Sequence, residues 1–84
     1  MRIEEFAEKN DMFNDYFKDM KQSKNEEKLA MEAGEYIIKD IRRHEKLRHC
    51  SYCHGYLNAL YENKILLEND YFALKEELYS ICRA

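Results

Sequence analysis

Eighty-four residues with no proline, two glycines and 37% charged side chains make at most one small domain with a thin core, and they favour solvated helices because most helix breakers are missing. No stretch approaches the roughly 20 apolar residues that span a bilayer. The first residues lack the apolar run of a secretory signal, and the cysteines are odd in number (Cys50, Cys53, Cys82), so the expectation is a cytoplasmic, all-α protein with reduced thiols.

The net charge of −3 conceals a division along the chain. Residues 1–35 carry six basic and ten acidic side chains, residues 36–54 five and two, and residues 55–84 three and five. The basic middle, Lys39, Arg42, Arg43, Lys46 and Arg48, is a candidate polyanion contact. A solvated helix face with acidic neighbours is the simpler account.

Residues 2–21 place Ile3, Phe6, Phe13, Phe17 and Met20 on one stripe, with Tyr16 at its edge and Asn10 as a polar exception. That spacing predicts an amphipathic helix. Glu4, Glu5 and Glu8 near its start and Lys18 and Lys21 near its end suit the helix dipole. Ser23-Lys-Asn-Glu26 matches a capping box, which predicts a second helix over residues 25–48. Its apolar positions are Leu29, Ala30, Ala33, Ile37, Ile38 and Ile41, and Gly34 beside them offers a close helix approach. Residues 47–55 collect weak helix formers and end in Gly55, which predicts a turn. The rival is a continuous helix, because the downstream heptad extrapolates back onto Cys53 and Cys50 without a phase change.

The third predicted helix covers residues 52–83. Cys53, Leu60, Leu67, Leu74 and Ile81 recur every seven residues, flanked by Leu57, Tyr71 and Leu78. Ile65, Phe72 and Tyr79 form a second row and widen the apolar arc to about half the circumference. A two-stranded zipper needs only a narrow seam, so the arc favours a bundle. At roughly 1.5 Å per residue this helix would be about 48 Å long and the first only about 30 Å. Helix 2, a second copy, or a fourth helix starting at Asn69-Asp70 must make up the difference. The expected fold is a small three-helix bundle or hairpin with a long C-terminal heptad helix, and it should oligomerise. The expected interaction face is Leu57, Leu60, Tyr61, Leu67, Tyr71, Phe72, Leu74, Leu78 and Tyr79.

One constellation bears on chemistry. Cys50-Ser-Tyr-Cys53-His54 resembles the haem-attachment motif of c-type cytochromes over five residues, which implies an exported protein and finds no matching signal here. As zinc ligands, His49, Cys50, Cys53 and His54 have an acceptable donor set. Most structural sites add a distant pair, however, and Cys82 would lie about 45 Å along a straight helix. The simpler account makes Cys50 and Cys53 small apolar packing residues. No strand precedes the Cys-x-x-Cys as a thioredoxin-like site requires, and no glycine-rich oxyanion turn accompanies Ser51 or Cys50. The acid pairs Glu4-Glu5, Glu26-Glu27 and Glu76-Glu77 fit solvated helix faces.

No enzyme and no cofactor are expected. Tyrosines crowd residues 52–79, and tyrosine is favoured at interfaces. The expected function is a non-enzymatic helical module that self-associates or docks onto a larger protein to regulate or inhibit it, in the size class of phage or mobile-element inhibitors. A dimeric nucleic-acid-associated regulator using residues 39–48, or a small structural zinc protein, is the alternative.

Overall fold

The computed structural model describes residues 1–83. Four helices follow in order: α1 (Ile3–Lys9), α2 (Asp11–Glu32), α3 (Tyr36–Glu62) and α4 (Glu68–Arg83). The all-α expectation holds, but the three helices expected over 2–21, 25–48 and 52–83 are cut at different places.

The first break is Asn10, whose backbone leaves the helical region at φ −135°, ψ 92°. Its side-chain amide donates to the Phe6 carbonyl at 2.8 Å, satisfying an orphan carbonyl of α1. Ser23 and Glu26 cap nothing. Both lie inside α2, where Ser23 is buried and Glu26 reaches across to Arg42 at 2.7 Å. A capping box is a local pattern, and the continuous stripe of Phe13, Phe17, Met20 and Ala30 overrides it.

α2 ends instead at Gly34, with φ +73°. Glu35 N–H donates to the Ala30 carbonyl at 2.9 Å and Gly34 N–H to that of Met31 at 3.1 Å, which is the Schellman arrangement. Gly34 therefore makes a turn and not the close helix approach expected of it. The same motif closes α3 with a non-glycine residue. Lys64 has φ +60°, Ile65 N–H donates to Leu60 carbonyl at 2.9 Å, and Lys64 N–H donates to Tyr61 carbonyl at 3.0 Å.

The predicted turn at 47–55 is absent, and α3 runs straight through it. Cys50, Cys53 and Leu57 keep one buried face in phase, so the rival continuous helix is the correct one. Gly55 is tolerated within it, on an exposed side where an added Cβ would meet nothing within 4 Å. The expected 52–83 helix is split at residues 63–67, and the weighed fourth helix begins at Glu68.

α2 and α3 form an antiparallel hairpin. Phe13 meets Tyr56, Tyr16 meets Tyr52, and Glu27 meets Arg43 and Lys46, so each step up α2 matches a step down α3. α4 folds back along α3, pairing Tyr71 with Tyr61, Tyr79 with His54 and Cys82 with Cys50. α1 packs against α2 and α4. Its Ile3 N–H donates to the Glu77 carboxylate at 3.0 Å, and Phe6 meets Phe13 edge-on at 4.9 Å. Ile3, Phe6, Phe13, Phe17, Met20, Cys53, Leu57, Leu74 and Leu78 make the centre of the core.

The lengths are unequal, and that fixes the shape. At roughly 1.5 Å per residue, α3 is about 40 Å long and α4 about 24 Å. α4 covers α3 only from Glu62 back to Cys50, and the hairpin continues past it without a third layer, giving a body 45 Å long and 18 Å wide.

Candidate functional site

The expected interaction face divides into three classes. Leu57, Leu74 and Leu78 are fully buried between α3 and α4; they hold the protomer together and are not available for contact. Leu60, Tyr61 and Tyr71 are half-buried. Tyr61 and Tyr71 stack at 4.2 Å, and the Tyr71 hydroxyl and Lys75 ammonium both donate to Asn58 Oδ1, at 2.5 and 3.0 Å. Leu67, Phe72 and Tyr79 are exposed, together with Ile65. Phe72 and Tyr79 flank a shallow depression whose remaining lining is His54, Lys75 and Glu76. This outer side of α4 is aromatic, with a mixed-charge floor.

A second surface lies at the hairpin tip. Leu29, Met31, Tyr36, Ile37, Ile38 and Ile41 are all exposed, Ile37 at 80%. The helix-2 stripe reading had Leu29, Ile37, Ile38 and Ile41 facing a neighbour. Within the protomer only Ala30 of that stripe is buried. The others are uncovered because no helix among the described residues reaches far enough. Ile37, Ile38 and Ile41 sit at helical spacing on one turn and a half of α3, so their side chains form one continuous patch.

Between tip and body stands an ion cluster. Glu27 accepts from Lys46 Nζ and Arg43 Nε, each at 2.7 Å, and the Glu27 and Lys46 side chains are both 8% exposed. Burial would raise the Glu27 carboxyl, but hydrogen bonds from Lys46 and Arg43 outweigh it and hold the group below its ordinary 4.5. Arg42 pairs with Glu26 and Glu45, and Lys39 with Asp40 at 3.4 Å. Of the five residues singled out for polyanion contact, only Arg48 has no ion pair among the described residues. The cations are largely engaged in holding α2 to α3.

The Cys/His segment lies on successive turns of α3. Cys50 and Cys53 point to the core side, and Cys50 is bonded to Cys82, with Cα atoms 6.3 Å apart. This corrects two expectations: the thiols are not all reduced, and one protomer does bring Cys82 to the 49–54 segment, because the turn at 63–67 folds α4 back. Cys53 is free and fully buried, and burial pushes its thiol up to about 12. Burial and the nearby Lys75 lower the His54 pKa, and the Nδ1 atoms of His49 and His54 are buried without a hydrogen-bond partner. Among the described residues no three His, Cys, Asp or Glu side chains converge as metal ligands. No helix among them is long and apolar enough to cross a membrane.

No family model, curated protein or solved structure matches the chain. Two exposed apolar surfaces, the outer side of α4 and the hairpin tip, stand out on the described residues. Sequence periodicity could find the α4 patch, since Ile65, Phe72 and Tyr79 form its second row. It could not separate the tip from the core, because both obey the same helical spacing.

Proposed function

We propose that the chain is a non-enzymatic protein-contact module that self-associates through its hairpin tip and docks a larger protein through the outer side of α4. The observation that carries this is the run of exposed Ile37, Ile38 and Ile41 on a two-helix projection without a third layer. Two such projections laid side by side antiparallel make a four-helix bundle and bury both patches. Covering Ile37, 80% exposed, contributes about 1.5–3 kcal/mol, and the half-exposed Ile38 and Ile41 roughly half as much each.

The α4 side has a different character. Phe72 and Tyr79, each more than half exposed, with Lys75, Glu76 and His54 between them, resemble the aromatic anchors and polar surround of a binding hot spot. Docking there would let the module regulate or inhibit its target without chemistry of its own. We take its setting to be cytoplasmic on composition alone, although a bond such as Cys50–Cys82 is uncommon there.

Sedimentation velocity over a range of concentrations tests the tip. The wild type is expected to shift reversibly toward twice its mass, and Ile37→Glu/Ile41→Glu to stay monomeric with unchanged helix content. Equal behaviour of the two proteins would count against this reading.

A further inference from the structure

The Cys50–Cys82 bond ties the last turn of α4 to the middle of α3. Both cysteines open onto one groove, whose walls include Arg43, Lys46, Arg83 and His54. Each cysteine keeps a little exposure, 5% and 8%, in contrast to the fully covered Cys53. The groove is cationic: Arg43 and Lys46 share the single carboxylate of Glu27, and Arg83 lies over the Tyr79 ring at 4.9 Å. The two cysteines are buried but line an open groove beside clustered cations, so the groove offers a path for an attacking thiolate and stabilisation of the departing one.

We propose that Cys50–Cys82 is an exchangeable bond, opened in the folded protein by a small anionic thiol of the glutathione class, which becomes attached to Cys82. The incoming thiolate attacks Cys82 Sγ at the end of α4, beside Arg83. A new S–S bond forms, the Cys50–Cys82 bond breaks, and its electron pair leaves on Cys50 as a thiolate one helical turn from Lys46. A second thiolate then attacks the sulfur of the bound thiol and releases Cys82 as a thiolate. The protein disulfide is thereby reduced by two electrons, and two thiols are oxidised to one small disulfide. Cys53 takes no part, because its buried thiol stays protonated.

Opening leaves the end of α4 held by the Lys24 Nζ to Ile81 carbonyl hydrogen bond at 2.9 Å and by packing of Leu78. The exposed Tyr79 lies on this same segment. Exchange therefore loosens one edge of the aromatic surface on α4.

The test uses the air-oxidised full chain treated with reduced glutathione or with 2-mercaptoethanol, whose thiolate carries less negative charge, followed by acid quench and peptide mass mapping. The expected result is a glutathione adduct on Cys82 while circular dichroism reports a folded chain. Arg83→Glu should lower the ratio of the glutathione to the mercaptoethanol rate about fivefold at low salt, from Coulomb's law in water at about 8 Å. Cys53→Ala should leave both rates unchanged. An oxidised protein without the bond, an adduct formed only in denaturant, an adduct on Cys50, or a rate ratio indifferent to Arg83→Glu would each overturn the proposal.

Discussion

At the scale of single residues, two positions with the same backbone geometry carry opposite expectations. Gly34 and Lys64 both occupy the left-handed region at a helix end, which costs an L-residue roughly 1–2 kcal/mol. Lys64→Gly should therefore raise stability by about 0.5–1 kcal/mol and Gly34→Ala lower it by about 1 kcal/mol, as read from thermal midpoints. Glu27 gives a second case. Lys46→Met should cost about 3 kcal/mol in urea denaturation by leaving a buried carboxylate with Arg43 alone, whereas Glu27→Gln/Lys46→Met should recover most of that loss. Because the folded-state carboxyl lies below its ordinary 4.5, its stabilisation is present above that pH and is lost as pH falls through the folded value. A stability profile measured below pH 4.5 should keep this acid limb in the wild type and lose it in the double variant. His54, also lowered below its ordinary 6.5, adds a milder loss below that pH, which both proteins should share.

At the scale of elements, the heptad was the clearest signal in the chain and also the most misleading about length. Leu57, Leu74 and Leu78 were legible as apolar helical positions, and all are fully buried. The break between them showed only as an alternative, a fourth helix starting at Asn69-Asp70, because Lys64 adopts a glycine's conformation without a glycine's signature. Ser23-Glu26 erred in the other direction: a good local cap was outvoted by continuous packing of α2 on α3. The same packing carried α3 through the weak helix formers of 47–55. Folding α4 back makes the leucines of the heptad pattern unequal. Leu78→Ala should cost about 2–5 kcal/mol in chemical denaturation, and Leu67→Ala, at an exposed site, should stay within about 0.5 kcal/mol. Similar losses at the two positions would mean that α4 does not pack as described.

At the scale of the whole molecule, the proposed function rests on a mismatch of helix lengths. A long α2–α3 hairpin carries a short α4, so one end is a packed body and the other a bare two-helix projection with isoleucines on its surface. The need for further cover was legible in the sequence, which is why self-association was expected. Its location was not, because the stripe of Ile37, Ile38 and Ile41 reads like core until the reach of α4 is known. The most direct measurement is the access of a soluble paramagnetic probe to isoleucine and leucine methyl groups by NMR, at low and high protein concentration. The methyls of Ile37, Ile38 and Ile41 should lose contact with the probe as concentration rises, while those of Ile65 and Leu67 stay accessible. Tip methyls that remain as open as Ile65 at every concentration would contradict self-association through the hairpin tip.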